Sequence, residues 1–330
     1  MSGHKDVIHI ACQADERFAP DCAVMLHSLI RANPGETFDV HFLHGPEMPA
    51  QALDHLRQVT EVGGSRWSPL VMTRERLGEF PFMNRYGGLT AWYRIFLPHL
   101  LPELPKILYL DADLMILRPI RELWDTPLAD QCLAAVHNPL FDWMRPRIEA
   151  ELKMPSTEYF NSGVMLLNLA EIRRRKLDEE VIAFVREKRA PMPWADQEPL
   201  NAVLWRHRVK LHPRWNTING LFDLPARYMP WDVATIREAT SAPCIIHFIG
   251  EHKPWHYRLR HPYRAQYFAH LAQTPFKTRA IVGKNFRNVL LRPLPVLWAW
   301  TIDKYWDRYL GRLENFWTRG WRKLARLWAG

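Results

Sequence analysis

Apolar and polar positions along the 330-residue chain follow strand and helix periods in turn. Residues 7–11 form an apolar run of strand length, and Pro20 then opens a helical pattern through Val24, Leu26, Ser28 and Ile30. Asn33-Pro34-Gly35 ends that helix. A second strand over 38–43 alternates Phe38, Val40 and Phe42, and 51–59 reads as a second helix. The pattern is loop-rich to about Gly88, after which a helix through Trp92, Arg94 and Phe96 leads into ILYLDADLMIL at 107–117. Strands alternating with helical patterns predict an α/β sheet with mostly parallel pairing.

Beyond Leu117 the segments shorten. Residues 133–136 and 164–167 read as strands, 146–152 as a helix and 178–188 as a charged helix. The stretch 191–263 is rich in Trp, Pro and His and holds one strand, at 244–248. A boundary falls near 275–295, where Pro293 and Pro295 precede a new pattern.

Composition changes the picture mainly through where the charge lies. The hydrophobic fraction of 48% and charged fraction of 24% are those of an ordinary globular chain. The formal charge is +9, but 284–330 alone hold ten Lys or Arg against three Asp or Glu, a net of +7. The rest carries +2, so the basic character belongs to a tail and a nucleic-acid partner loses its main support. Four scattered cysteines without a CxxC pair fit a reducing compartment. No signal-like apolar core and no run of 18 apolar residues is present, so a cytoplasmic address is expected.

Within 107–117 two carboxylates, Asp111 and Asp113, stand one residue apart between apolar runs. In an extended chain residues i and i+2 point the same way, so both would converge on one point. Like charges that close raise each other's pKa unless a cation sits between them. An Asp-rich turn would give the same letters, but apolar flanks put this pair at a strand end, where ligands bind in open sheets. A divalent ion with open positions would supply the missing charge. The motifs of P-loop, serine-hydrolase and zincin chemistry are absent.

LYLDADLMIL resembles the DxD segment of glycosyltransferase family 8, retaining enzymes of the GT-A fold, a Rossmann-like mixed α/β sheet flanked by helices. Five further segments resemble that family's motifs in order: IACQADERF with the helix ending HSLI, LTAWYRIFLP at 89–98, YFNSGVMLLNL at 159–169, ADQEPLN at 195–201 and HFIGEHKPWH at 247–256. The subgroup most similar is the bacterial lipopolysaccharide glucosyl- and galactosyltransferases. The resemblance implies a catalytic domain over 1–275, with a nucleotide-sugar part at about 1–118 and an acceptor part at about 119–275.

It also implies roles. Asp111, Asp113 and His247 would hold Mn²⁺, or Mg²⁺, against the diphosphate of a UDP-sugar, a donor set that suits either ion. A His closing an apolar run such as CIIHF is more often a core residue. Here Gly250 allows close backbone approach and Lys253 supplies a point charge for phosphate. Ala11 and Ala112 would line the donor, Asp15 would bond the uracil base and Phe18 would stack on it. Arg94 would bridge diphosphate and donor sugar with its directed N–H groups. Asn161, Asp196 and Gln197 would bond sugar hydroxyls, the last two near the anomeric carbon. A neutral Gln197 amide forms no easy sugar ester, so retention through front-face attack is expected rather than the two-carboxylate scheme of glycosidases. Asn138 stands where some relatives have an acidic residue.

In the tail, 276–330, apolar residues from Trp298 to Trp328 recur at helical spacing, and Lys304, Arg308, Arg312, Arg319, Arg322, Lys323 and Arg326 fall on an adjoining arc. Gly311 and Gly320 allow two shorter pieces. The pattern suits either a helix docked on the core or an amphipathic anchor on an anionic membrane through 284–330. The expectation is a metal-dependent transferase moving glucose or galactose from its UDP donor to a lipopolysaccharide-type, lipid-linked oligosaccharide. It would act peripherally on the inner face of a bacterial cytoplasmic membrane. The alternatives are another UDP-sugar with a protein or small-molecule acceptor, or a catalytically silent membrane-binding member.

Overall fold

The computed structural model describes residues 6–77, 89–188, 192, 194–250, 253–294, 298–299 and 301–302. Ten strands occur among them: β1 (Ile8–Gln13), β2 (Phe38–His44), β3 (Arg66–Val71), β4 (Lys106–Leu110), β5 (Leu114–Ile116), β6 (Leu133–His137), β7 (Phe160–Asn168), β8 (Arg208–Leu211), β9 (Thr217–Ile218) and β10 (Ile245–His247). Seven form one sheet in the order β3-β2-β1-β4-β7-β6-β8, and β5-β10-β9 form a second. Strands β3, β2, β1 and β4 are parallel. Strand β7 runs antiparallel to both β4 and β6, and β6 pairs parallel with β8. The mixed α/β architecture expected from the sequence is what the chain adopts.

Both faces of the large sheet are covered, so its central strands are nearly all apolar. Ile8, Ile10, Cys12, Phe38, Val40 and Phe42 share one core with α1 (Ala19–Ala32) and α2 (Ala50–Glu61). Ala11, Leu43, Ile107, Tyr109, Met165 and Leu167 face a second core with the 3₁₀ helix Leu89–Phe96 and the helices Leu177–Glu187 and Gln197–Leu204. The expected helix at Trp92–Phe96 is therefore a tighter 3₁₀ turn. Helix α1 is also keyed to the second sheet. Ser28 Oγ donates to Met25 O and accepts from Ile116 N at 2.9 Å, while Asn33 Oδ1 accepts from Ile120 N at 2.8 Å.

Strand β3 corrects the sequence reading, which placed only loop between α2 and Gly88. Its residues, RWSPLV, lack buried alternation because β3 is an edge, where Pro69 is tolerated. Arg74–Leu77 adds one short helical turn, and residues 78–88 of that expected loop lie outside the described residues.

The chain divides into two compact units, Met1–Pro254 with His261–Ala280, and Trp255–Arg260 with the chain from Ile281 onward. In the second, Tyr257 N donates to Val282 O and Val282 N to Trp255 O, and Asn285 caps the short helix Phe286–Leu291. That helix exposes Phe286, Val289 and Leu290, and Trp298 is also exposed. The expected amphipathic pattern from 303 onward lies outside the described residues. Among those described, no helix is long and apolar enough to cross a membrane.

Candidate active site

Strand β4 delivers Asp111 to the point where the sheet changes from parallel to antiparallel pairing, the kind of crevice where open α/β sheets bind ligands. The expectation that Asp111 and Asp113 project from one extended run is corrected here. Asp111, Ala112 and Asp113 lie in the turn between β4 and β5, because β4 stays in the large sheet while β5 joins β10. The two carboxylates consequently face different partners. Asp111 Oδ1 accepts from Tyr109 Oη and pairs with Arg94 Nη2, each at 2.8 Å. Asp113 Oδ2 takes Lys253 Nζ, which also donates to Phe248 O.

The two carboxylates meet at His247, the last residue of β10. Its Nε2 lies 3.3 Å from Asp113 Oδ1 and 3.8 Å from Asp111 Oδ2. Backbone chemistry sets the tautomer. Gly163 N–H can only donate, so the atom it meets at 2.9 Å is Asn161 Oδ1. That oxygen also accepts from Asn216 Nδ2 at 2.8 Å, which turns Asn216 Oδ1 toward His247 Nδ1 at 2.9 Å. An amide oxygen only accepts, so Nδ1 carries a proton, and in the neutral ring Nε2 is the nitrogen that would ligate beside the two carboxylates. Three lone-pair atoms within 4.8 Å of one another repel unless a positive charge sits among them. The donor set, with the second ring nitrogen held by an amide, fits a divalent ion. Gly163 is part of the cradle: a Cβ there would strike His247 Cε1 and Asp111 Oδ2.

Arg94 is the other centre of charge. It is buried, stacks 4.2 Å from the Tyr109 ring centroid, and donates from Nη1 to Ser162 O at 2.8 Å. Burial opposes its charge, but Asp111 and Asp196 overcome that and hold the guanidinium well above its ordinary value. Its Nε is 3.0 Å from Asp196 Oδ2, yet the two are out of line, and neither atom makes a hydrogen bond. Burial pushes the Asp196 carboxyl up to about 7 against the pull of Arg94, with Asp111 adding to the rise. Burial would raise Asp113 too, but the Lys253 ammonium holds it far below the usual carboxylate range.

Strand β7 brings the remaining polar groups to the same place. Gln197 Oε1 accepts from Ser162 N at 3.1 Å, and its Nε2 donates to Tyr159 Oη at 3.2 Å. Asn161 Nδ2 donates to Asn138 Oδ1 at 3.0 Å. Arg94, Asp111, Asp113, Asn161, Asp196, Gln197, His247 and Lys253 thus form one connected cluster, with Ala112 in its turn. Ala11 lies on β1 opposite Tyr109 of β4, and Gly250 has a positive φ of 82° in the turn after β10. Asp15 and Phe18 sit apart from this bonded network, at the end of β1. There Asp15 caps the 3₁₀ turn Glu16–Phe18 and pairs with Arg17, and Phe18 packs on the first core. The sequence reading missed Tyr109, Ser162, Gly163 and Asn216. Its one usable signal was small or polar residues inside otherwise apolar or aromatic runs, as in FNSGV and RWNTI.

The sequence pattern of Glycosyl transferase family 8 matches residues 9–258, well over half of the chain. The chain belongs to that family. It is a glycosyltransferase, and it matches other proteins along most of their length. General stress protein A of Bacillus subtilis is 27% identical over 281 residues, covering 83% of this chain and 96% of that protein. The lipopolysaccharide glucosyltransferase WaaO of Escherichia coli is 24% identical over 293 residues, covering 86% and 83%. Among solved structures, the galactosyltransferase LgtC in complex with donor and acceptor sugar analogues superimposes with a TM-score of 0.70 at 23% identity. That match covers 81% of this chain and 96% of LgtC and supports the GT-A fold.

Two predictions follow from this geometry. Replacing Gly163 by Ala displaces the His247 ring and should weaken binding of an added divalent probe ion, Mn²⁺, about 10–100-fold, measured by electron paramagnetic resonance of the free probe. An unchanged affinity would remove His247 from the metal set. The second concerns pH. An unfolded Asp releases its proton near about pH 4, whereas folded Asp196 keeps it to about 7. Its stabilising contribution is therefore full below about pH 4 and lost as the pH rises through about 7. Denaturation of the metal-free chain should show wild type losing more stability than Asp196→Asn across that window, and equal slopes would contradict the assignment.

Proposed function

We propose that this family 8 glycosyltransferase moves glucose or galactose, with retention, from a UDP donor to a lipopolysaccharide-type or other lipid-linked oligosaccharide. The observation that carries this reading is the meeting of Asp111, Asp113 and the His247 lone pair beside Arg94, Asp196 and Gln197. Asp111, Asp113 and His247 would hold Mn²⁺ or Mg²⁺, which supplies Lewis-acid stabilisation of the diphosphate leaving group. Lys253, held by Asp113 and the Phe248 carbonyl, adds a point charge for phosphate, and Arg94 offers a guanidinium fixed by Ser162 and Asp111. Asp196 Oδ2, an acceptor without a donor, suits a sugar hydroxyl. Asp15 and Phe18 would take the uracil.

Gln197 is held by Ser162 N–H as a neutral acceptor, so it can support positive charge growing at the anomeric carbon but not form a glycosyl ester. Retention then follows if the acceptor hydroxyl attacks from the face that UDP leaves. The bond from C1 to the acceptor oxygen forms as the bond to phosphate breaks, and the hydroxyl proton passes to the departing phosphate oxygen. The tail would place this reaction on the cytoplasmic face of the membrane. In support, the second unit exposes Phe286, Val289, Leu290 and Trp298 near Lys284, Arg287 and Arg292, a mixture suited to an anionic interface.

Two measurements test the reading. Purified protein with Mn²⁺ should release UDP from UDP-glucose or UDP-galactose, and Asp113→Asn should lower that rate by about 10²–10³-fold, as for other electrostatic stabilisers. No release from any UDP-sugar, or an Asp113→Asn variant as fast as wild type, would sink it. Removing 284–330 should abolish sedimentation with anionic vesicles while UDP binding persists; unchanged sedimentation would reject the anchor.

A further inference from the structure

A second group of metal-type ligands lies on β1 and β2 of the large sheet. In the register of β1 and β2, His9 pairs with Asp39 and Ala11 with His41, so His9, Asp39 and His41 share one face near the N-terminal ends of parallel strands. Asp111 follows β4, two residues beyond Tyr109, which is level with Ala11 and His41, so the two clusters lie on different strands with β1 between β2 and β4. His9 Nδ1 and His41 Nε2 face each other at 3.2 Å, and Asp39 Oδ2 is 3.9 Å from the first and 3.8 Å from the second. A triangle of these sides has its centre about 2.1 Å from each corner, the length of a zinc–ligand bond.

We propose that His9, Asp39 and His41 form a binding site for a divalent transition-metal ion of the zinc class, with water or another small donor in the open position. Two imidazoles and one carboxylate are a borderline-soft set, in contrast to the carboxylate-rich set at Asp111 and Asp113. Ser68 Oγ donates to Asp39 Oδ1 at 2.7 Å, which orients the carboxylate and leaves Oδ2 toward the imidazoles. Burial lowers the pKa of both histidines against the pull of Asp39, which keeps the rings neutral and able to ligate. Arg66 is the neighbouring cation, 3.8 Å from Asp39 Oδ2, but its side chain is 78% exposed and can turn into water. His9 and Asp39 retain some solvent contact, which gives an ion access. The bound ion would cross-link β1 to β2, away from the sugar-transfer chemistry, and the site stands whether or not the proposed transfer is right.

The test is zinc binding to chelator-stripped full-length protein, measured by equilibrium dialysis and elemental analysis. Asp113→Asn should retain the site, whereas His9→Gln should bind one equivalent less than wild type and lose the corresponding rise in Tm. His9→Gln binding as much zinc as wild type would reduce the cluster to an imidazole–imidazole hydrogen bond and overturn the proposal. A second measurement needs no variant. Saturating zinc should block carbethoxylation of His9 in the stripped wild type, read by peptide mass spectrometry, and modification at an undiminished rate would equally overturn it.

Discussion

The buried guanidinium of Arg94 is the constraint on which the candidate site rests. Three carboxylates, Asp111, Asp113 and Asp196, are drawn into one crevice, where burial disfavours the charged form of Asp113 and Asp196. Arg94 lies against two of them and is itself held by Tyr109 and the Ser162 carbonyl. Lys253 takes the third. Removing one partner of such a buried set typically costs about 3–5 kcal/mol, because the charge left behind is uncompensated. The protein therefore answers most of its own negative charge, and the residual imbalance sits where Asp111, Asp113 and the His247 lone pair meet. A divalent ion suits that remainder because the rest is already neutralised.

Strand β7 explains how groups distant in sequence are held to such tolerance. Running antiparallel between β4 and β6, it places consecutive residues on both sides of the crevice. Gly163 O accepts from Asp111 N at 2.9 Å, while Gly163 N begins the relay through Asn161 and Asn216 to His247. Ser162 meanwhile offers its carbonyl to Arg94 and its N–H to Gln197. One short segment thus orients the imidazole, the guanidinium and the carboxamide. Glycine is required at 163 because the site closes to van der Waals contact around it.

These dependencies account for what could be read from the sequence. Continuous apolar runs marked β1, β4 and β7 because each is buried on both faces, alternation marked β2, and α1 and α2 were visible through their apolar stripes. Edge strand β3 was invisible because an edge need bury only part of one side, and Pro69 argued against a strand. Asp111, Asp113, His247, Arg94 and Gln197 stood out as charged or polar residues in apolar or motif-bearing segments. Asn216 did not, since its importance lies in bonding two other side chains, and a single buried amide leaves no periodic trace. The turn at Ala112 was misread for a related reason. An apolar–Asp–x–Asp–apolar string looks continuous, yet its halves belong to different sheets.

That division between sheets is itself what makes the carboxylate pair useful. Had residues 107–117 formed one strand, Asp111 and Asp113 would point in parallel from one surface and share the same surroundings. Breaking the run at Ala112 sends Asp111 toward Arg94 and Tyr109 of the large sheet and Asp113 toward Lys253 and β10 of the small one. Each carboxylate keeps its own fixed cation on one oxygen and turns the other oxygen to His247. Asp39 and His41 on β2 show the alternative, in which i and i+2 on an unbroken strand share one face and meet a His from the next strand. The two arrangements use the same residue types. The turn yields separately neutralised carboxylates suited to a hard ion, and the strand yields a compact imidazole-rich pair suited to a softer one.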